Sequence, residues 1–152
     1  MQVTAVLIED SIAMRRAVIP AMKELTGIDV VAFAEDVHGA RHLMAIEHFH
    51  LVVLDLFLSV GTGLDVLADL RTQSQDKPVF ILTNHATHDV RQACLQAGAT
   101  AVFDKSSELD AFFERCSHIA NAQRAHNAQS SMGRQPAALP LPLPQSRSLS
   151  PE

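Results

Sequence analysis

The chain has 152 residues, of which 47% are hydrophobic and 19% are charged, so it is long and apolar enough to bury the core of one domain. This composition excludes intrinsic disorder of the whole chain. No apolar run reaches the roughly 18 residues of a membrane-spanning helix, and the first residues lack the features of a signal peptide, so we predict a cytoplasmic protein without membrane contacts. A net charge of −5 with no run of Lys or Arg argues against direct binding to nucleic acid.

The cysteines and histidines form no pattern that predicts a disulfide or a metal site. Cys94 and Cys116 lack the CxxC spacing of zinc sites, and we expect both to be reduced and buried. Two histidine pairs have a spacing that can bind a metal, but no third ligand is evident beside them, so we interpret them as surface residues. These pairs are His38 with His42 and His48 with His50.

Short apolar runs recur along the chain at fairly regular intervals. They are continuous rather than alternating, which is typical of strands buried on both faces, and the segments between them have helical character. The pattern predicts an α/β domain of five βα units, with a doubly wound, flavodoxin-like parallel sheet in the strand order 2-1-3-4-5. The predicted strands cover residues 5–8, 30–33, 51–54, 79–82 and 101–103.

Capping and helix-breaking residues indicate where the predicted helices begin and end. Pro20 falls inside the first helix and removes the hydrogen bond to the carbonyl of Arg16, so we expect a kink or an early break there. Ser107, with Asp110 three positions later, predicts a capping box for the fifth helix. The other boundaries are predicted by Gly27 at the end of the first helix, Asp36 at the start of the second, Gly63 with Leu64 at the start of the third, and Thr87 and Gly98 at the start and end of the fourth.

The composition changes at about Asn127. Five of the seven prolines lie beyond this point, together with several serines and no aromatic residue, so this segment cannot form a packed core. We predict a folded domain over residues 1–126 and a disordered Pro/Ser-rich tail over residues 127–152. Within the tail, 139–144 alternates Leu and Pro and favours polyproline II, which leaves a docking peptide or an unstructured tail as alternatives.

Polar side chains follow four of the five predicted strands, at the edge of a parallel sheet where ligands bind. In the predicted order the first and third strands are neighbours, so their carboxylates lie together and repel one another. A divalent cation relieves this repulsion, and ligands that are all oxygen favour Mg²⁺ or Mn²⁺. The polar residues are Glu9 and Asp10 after the first strand, Asp55 after the third, Thr83 after the fourth, and Asp104 with Lys105 after the fifth.

The residues expected around Asp55 predict phosphoryl transfer to that carboxylate. Thr83 can donate a hydrogen bond to an oxygen bound at Asp55, and Lys105 can reach across as a point charge. A cation, a hydroxyl and an ammonium around one carboxylate together neutralise a transferring phosphoryl group. Asp55 is then the nucleophile that forms an acyl phosphate.

Four short motifs stand in a fixed order between about residues 3 and 122. They are Leu7-Ile8-Glu9-Asp10 followed by Met14-Arg15-Arg16, then Val53-Leu54-Asp55 with Gly63, then Ile81-Leu82-Thr83, and Gly98-Ala99 ahead of Phe103-Asp104-Lys105. In these motifs the chain resembles the receiver domain of bacterial two-component response regulators, especially the single-domain chemotaxis type.

The resemblance implies a stand-alone phosphoacceptor that receives a phosphoryl group from a sensor histidine kinase or a phosphotransfer protein. It implies signalling to a downstream protein through the face formed by the fourth helix, fifth strand and fifth helix, and it leaves a phosphorylation-dependent homodimer open. It implies no enzymatic activity beyond the domain's own phosphorylation and dephosphorylation. The implied roles are Asp55 as phosphoacceptor, Thr83 and Lys105 as phosphoryl-binding residues, Asp10 and Asp55 as ligands of Mg²⁺, Glu9 acting on the metal mainly through water, and the backbone carbonyl of Phe57 as a further ligand.

The chain departs from the family pattern at several positions. Val102 stands where the family has an aromatic switch residue, and Phe103 points to the opposite face of a strand and cannot replace it. Asn84 stands where the family prefers a very small side chain. Ser59 and Ser106 replace prolines, and without proline a cis peptide before Ser106 is disfavoured by about 3 kcal/mol.

Phe57 and His85 occupy positions that control access to the phosphoryl group in this family. A bulky apolar Phe57 excludes water, so we predict a slow loss of phosphate. His85 is open to two interpretations, a base that assists a water molecule or an exposed loop histidine.

Two other functions compete with a phosphoacceptor. A pseudo-receiver that binds proteins independently of phosphorylation is suggested by Val102 and Asn84, whereas the retained acidic residues, Thr83 and Lys105 favour the phosphoacceptor. A phosphatase or phosphotransferase of the haloacid-dehalogenase type also uses an aspartyl phosphate and Mg²⁺. That family needs a second aspartate two residues after the nucleophile, where this chain has Phe57.

Overall fold

A computed structural model describes residues 2–73 and 76–134. Five parallel strands form one sheet in the order β2-β1-β3-β4-β5, which confirms the predicted α/β fold and its strand order. Each predicted strand lies within an observed one. The elements in chain order are β1 (Thr4–Ile8), α1 (Ile12–Thr26), β2 (Asp29–Ala34), α2 (Val37–Ile46), β3 (Leu51–Leu54), α3 (Gly63–Thr72), β4 (Val79–Thr83), α4 (His88–Gln96), β5 (Ala101–Asp104) and α5 (Leu109–Arg134).

The sheet is covered on both faces, and this explains why its strands are continuous apolar runs. Every residue of β3 and β4 is buried. One core cluster joins the sheet to α2, α3 and α4, and a second joins the opposite face to α1 and α5. Val102 belongs to the first cluster and Phe103 to the second, so the two side chains point to opposite faces as predicted.

The register of the sheet brings the carboxyl ends of β1 and β3 to the same edge. Ile8 pairs with Leu54, and the Asp55 amide donates to the Ile8 carbonyl at 2.9 Å. On the next strands Thr83 pairs with Asp104. The residues that end or follow these four strands therefore meet at one edge of the sheet.

The predicted helix boundaries are largely confirmed. Asp36 and Thr87 cap α2 and α4 by accepting from the amides of Gly39 and Val90. Gly27 follows α1 with a φ of 75°, a left-handed conformation that glycine adopts without strain. The remaining predicted boundaries are also observed, with α3 beginning at Gly63 and α4 ending shortly before Gly98.

The structure corrects two expectations about the helices. Of the kink or early break expected at Pro20, the break does not occur, because α1 continues to Thr26 and the buried Val18 and Met22 hold the turns on either side of the proline in the core. The fifth helix begins at Leu109, so Ser107 is not at its N-cap position. Ser107 instead interacts with the Asp104 carboxylate, which already accepts from Ser106.

Helix α5 continues to Arg134, so the domain boundary predicted at residue 126 does not coincide with the end of the helix. The rest of the predicted tail, residues 135–152, lies outside the described residues. Cys94 and Cys116 are free and buried, as expected. Within the described part of the chain, no helix is both long and apolar enough to cross a membrane.

Candidate functional site

Three carboxylates converge at the carboxyl edge of the sheet. Glu9, Asp10 and Asp55 each place a carboxylate oxygen within 4.8 Å of the other two. The neighbouring β1 and β3 position them, because Glu9 and Asp10 follow one strand and Asp55 follows the other. Among the described residues, no other group of carboxylates, histidines and cysteines clusters in this way.

Glu9 is the most deeply placed of the three, with only 2% of its surface exposed. Its carboxylate accepts from the Ser11 amide at 3.1 Å and from the Lys105 ammonium at 2.8 Å. The pKa of Glu9 is nevertheless raised, first because burial disfavours its charge and also because the Asp55 carboxylate repels it. The hydrogen bonds to Glu9 therefore do not offset its burial.

Lys105 bridges two of the carboxylates. Its Nζ lies 2.8 Å from Glu9 Oε1 and 3.0 Å from Asp55 Oδ2. Burial by itself would lower the pKa of Lys105, but the hydrogen bonds to Glu9 and Asp55 outweigh it and the pKa is raised. The two pKa values thus rise for different reasons: burial raises that of Glu9, whereas the bonds to two carboxylates raise that of Lys105.

Thr83 ends β4 beside this cluster and is fully buried. Its hydroxyl oxygen accepts from the His85 amide at 3.2 Å, and its carbonyl accepts from the Lys105 amide at 2.9 Å. On the other side of the site, the Phe57 amide donates to Asp55 Oδ1 at 3.4 Å. The structure thus brings the predicted residues Glu9, Asp10, Asp55, Thr83 and Lys105 to one edge of the sheet.

Two aromatic rings lie next to one another on the loops that follow Asp55 and Thr83. The rings of Phe57 and His85 meet edge to face with their centroids 4.9 Å apart, and Phe57 is 51% exposed. Through this ring contact, the loop after β3 touches the loop after β4 on the solvent side of the site.

Gly63 gives the backbone after Asp55 its close approach to α3. Its amide donates to the Leu56 carbonyl at 2.8 Å. A Cβ at this position would lie 2.5 Å from the Asp55 carbonyl oxygen and 3.0 Å from the Leu56 Cα. Because both contacts are with backbone, no side-chain movement relieves them, and the position admits only glycine without a backbone shift.

A family model described as the response regulator receiver domain matches residues 5–117, about where the four motifs and this site lie. The chain belongs to this family. Among solved structures, the receiver domain of the Francisella response regulator 1452 matches this receiver domain with a TM-score of 0.72 and 21% identity, covering 79% of this chain and 98% of that one. The chemotaxis protein CheY4 of Vibrio cholerae matches with a TM-score of 0.68 and 21% identity, covering 78% and 99%. These two likenesses show the fold.

Curated relatives are longer proteins. The transcriptional regulatory protein MalR of Bacillus subtilis is 23% identical over 111 residues, which are 73% of this chain and 47% of MalR. The response regulator protein PmrA of Pseudomonas aeruginosa is 35% identical over 82 residues, which are 54% of this chain and 37% of PmrA. The receiver domain thus spans less than half the length of these relatives.

The acidic residues of this receiver domain fit a hard divalent cation. Their donors are all carboxylate oxygens, and three potential negative charges face one ammonium. Burial and the Asp55 carboxylate raise the pKa of Glu9, so a further cation at this place would favour its ionised form. Carboxylate oxygens with room for water are the ligands that Mg²⁺ and Mn²⁺ prefer.

Arg15, which the sequence shows only as part of the first motif, also contacts this site from α1. Its Nη1 donates to the Glu9 carbonyl at 2.8 Å, and its Nη2 lies 3.1 Å from Glu35 Oε1. Its guanidinium also lies 4.4 Å from the ring centre of Phe33. The available signal was helical spacing, because Arg15 shares the buried stripe of α1 with Val18.

The departures from the family pattern have visible consequences in the receiver domain. Val102 is buried in the core beneath α4, and Phe103 packs against Phe80 with ring centres 5.5 Å apart. Val102 therefore supplies no ring on its side of β5, the position from which the family's switch residue would reach behind Thr83. The described residues contain no cis peptide bond, as expected for Ser106 in place of proline.

Proposed function

We propose that this receiver domain is the phosphoacceptor of a two-component system, phosphorylated on Asp55 by a sensor histidine kinase or a phosphotransfer protein. The observation that carries the proposal is the bridge that Lys105 makes between Asp55 and Glu9, at 3.0 and 2.8 Å, beside the buried Thr83. These residues place a nucleophile, an ammonium and a hydroxyl around one point, which is the arrangement that phosphoryl transfer requires.

The transfer uses a carboxylate oxygen of Asp55 as the nucleophile. The new O–P bond forms the acyl phosphate while the N–P bond of a phosphohistidine breaks, and the histidine nitrogen keeps the electron pair. The Lys105 ammonium neutralises charge on the phosphoryl oxygens, and the Thr83 hydroxyl, whose oxygen accepts from the His85 amide, donates its own proton to one of them.

The same proposal assigns Mg²⁺, with Mn²⁺ as a substitute, to the acidic cluster. Asp10, Asp55 and the backbone carbonyl of Phe57 would hold the metal directly, and Glu9 would act mainly through water. The bound cation supplies further neutralisation of the phosphoryl charge. The charge imbalance among Glu9, Asp55 and Lys105 supports this assignment.

We further propose that the domain passes its state to a downstream protein by direct contact and has no enzymatic role beyond its own phosphorylation. The cytoplasmic location, the stand-alone organisation and a phosphorylation-dependent homodimer stay predictions from the sequence. A haloacid-dehalogenase activity is disfavoured, because the place of the second catalytic aspartate belongs to Phe57, whose side chain packs against His85.

A second candidate is a pseudo-receiver that binds proteins without being phosphorylated. It is favoured by Val102, which fills the core position where the family carries its mobile ring, and by Asn84 directly after Thr83. The retained Asp55 and Lys105 pair argues for the phosphoacceptor.

The test is intact-mass measurement after incubation with acetyl phosphate and Mg²⁺. We expect the wild-type chain to gain one phosphate, the gain to disappear with EDTA and in Asp55→Ala, and the exposed control Asp76→Ala to behave as wild type. A known receiver domain labelled in parallel shows that the phosphodonor works. Absence of any gain in folded wild-type protein would overturn the phosphoacceptor and favour the pseudo-receiver.

A further inference from the structure

The guanidinium of Arg91 on α4 ties together three segments of the chain. Its Nε donates to the Ala86 carbonyl at 2.9 Å, in the loop after β4. Its Nη1 donates to the Val102 carbonyl at 3.0 Å, in β5. Its Nη2 lies 2.6 Å from Glu108 Oε1, just before α5. All three guanidinium nitrogens are thus engaged with other segments of the chain.

Glu108 closes the loop between β5 and α5. Its Oε1 accepts from the Asp104 amide at 2.9 Å, and its own amide donates to the Asp104 carbonyl at 2.9 Å. The Arg91 guanidinium is the first cause of a lowered pKa at Glu108, so this carboxylate is ionised and paired at neutral pH. Lys105 lies inside the loop that these two bonds close.

Arg91 also holds the loop after β4, which contains a hydrogen-bond partner of Thr83. Ala86 directly follows His85, whose amide donates to the Thr83 hydroxyl at 3.2 Å. The Lys105 amide donates to the Thr83 carbonyl at 2.9 Å. Arg91 therefore contacts both of the chain segments on which Thr83 and Lys105 depend, while touching neither side chain.

The loop that carries Lys105 has no proline to restrict it, because Ser106 follows the lysine. Ser106 instead donates to Asp104 Oδ1 through its amide at 2.7 Å and its hydroxyl at 2.5 Å. These bonds shape the outer turn of the loop but do not attach it to the rest of the domain. The loop is attached to β4 by the Lys105 amide, which donates to the Thr83 carbonyl, and to α4 by the Glu108–Arg91 pair.

We propose that Arg91 and Glu108 are positioning residues, which hold the β5–α5 loop so that the Lys105 ammonium stays between Glu9 and Asp55. The functional importance of this lysine position rests on the proposed phosphoacceptor function. The positioning itself is a property of the unphosphorylated domain and can be tested separately. Loss of the clamp, by which we mean the Arg91–Glu108 pair with its three backbone contacts, releases the loop and lets Lys105 reach solvent.

Lysine labelling tests this directly, because the chain has three lysines, at positions 23, 77 and 105. The Lys105 side chain is 10% exposed and doubly paired, whereas the Lys23 side chain is 54% exposed. We expect a limiting amount of an amine acetylating reagent to modify Lys105 slowly in wild type. Arg91→Met and Glu108→Gln should each raise the rate at Lys105 several-fold relative to Lys23, as read by peptide mass spectrometry. Arg91→Lys, which keeps one charge but loses the planar fork, should fall between them and wild type.

The matched control is the Arg41–Asp69 pair, which joins α2 to α3 with the same N–O distance of 2.6 Å. Asp69→Asn breaks that pair far from the β5–α5 loop and should leave Lys105 labelling unchanged. Urea unfolding curves of all variants separate a local release from global instability, because labelling through local opening does not rise with low urea concentrations.

The outcomes are distinct for the two proposals. Unchanged Lys105 labelling in both Arg91→Met and Glu108→Gln overturns the clamp, as does an equal rise in Asp69→Asn. If the clamp holds Lys105 as inferred, Arg91→Met and Glu108→Gln should also take up phosphate from acetyl phosphate several-fold more slowly than wild type. If wild type takes up no phosphate while Lys105 labelling responds as expected, the phosphoacceptor function fails and the positioning role stands.

Discussion

The Lys105 ammonium lies 2.8 Å from Glu9, a carboxylate with 2% of its surface exposed. The same ammonium reaches Asp55 at 3.0 Å, so one cation serves two carboxylates while a third, Asp10, lies beside them. The charge balance of this receiver domain therefore depends on one lysine when no metal is bound.

Lys105→Met should lower the stability of the metal-free protein and increase its affinity for Mg²⁺. Removing one partner of a buried ion pair leaves the other charge uncompensated, so we expect the free energy of unfolding to fall by about 3 kcal/mol. The same excess charge attracts the cation, and the dissociation constant for Mg²⁺ should decrease several-fold. Urea unfolding and titration calorimetry measure the two effects. Lys77→Met, at an exposed position, is the control, and weaker Mg²⁺ binding in Lys105→Met would contradict the prediction.

The stability of the domain should depend on pH through the ionisation of Glu9. Its pKa in the folded protein is raised above the ordinary value of 4.5, first by burial, so the folded state holds the proton more tightly than the unfolded state. Stability is therefore lost as the pH rises from about 4.5 through the raised pKa. Glu9→Gln removes this loss while keeping a side-chain oxygen as an acceptor.

The measurement is urea unfolding in EDTA at several pH values from 4.5 upward. Glu9→Gln should give a flatter profile than wild type, and the exposed control Glu24→Gln should match wild type. Mg²⁺ should reduce the loss in wild type, because a bound cation stabilises the ionised carboxylate. Equal pH profiles for wild type and Glu9→Gln would refute the assigned role of Glu9.

Phe57→Ala should shorten the lifetime of the phosphorylated domain several-fold. The ring lies beside His85 in the loop that follows Asp55, and we expect its removal to open a path for water to the acyl phosphate. Phosphate release after removal of the donor gives the rate. Val60→Ala, in the same loop and similarly exposed, should leave the lifetime unchanged. A lifetime that is equal in Phe57→Ala and wild type would show that the ring does not exclude water.

Gly63→Ala should destabilise the domain by about 1–3 kcal/mol, because the added methyl group meets backbone atoms that cannot move independently. Gly39→Ala is the matched comparison. At Gly39 the nearest atom to an added Cβ is a side-chain carbon of Ala34 at 3.1 Å, and alanine also favours the helix. Chemical denaturation of both variants measures the difference, and an equally small loss in each would contradict the close approach at Gly63.

The sequence was sufficient to predict the fold because its apolar runs are continuous. Runs such as 51–54 and 79–82 contain no alternating polar face, so they belong in a parallel sheet covered by helices on both sides. The strand ends then placed Asp55, Thr83 and Lys105 at one edge. Local chemistry also predicted the caps at Asp36 and Thr87, because a capping side chain and its amide lie within three residues of each other.

Other features needed the tertiary structure because they join residues far apart in the chain or depend on packing. Pro20 does not end α1, since the buried residues around it hold the helix against the sheet. Helix α5 begins at Leu109, two residues after the predicted cap at Ser107, where the Glu108 carboxylate pairs with the distant Arg91.

The sequence by itself determined five apolar strands and the polar residues that follow four of them, and the usual order of a doubly wound sheet then gave the acidic cluster and the residues around Asp55. Only the tertiary structure decided which charges pair. Lys105 bridges Glu9 and Asp55, and Arg91 joins Ala86, Val102 and Glu108, because folding brings separate segments within hydrogen-bond distance. The partners of long side chains such as Lys and Arg depend on which groups lie within reach and how buried they are, and the local sequence determines neither.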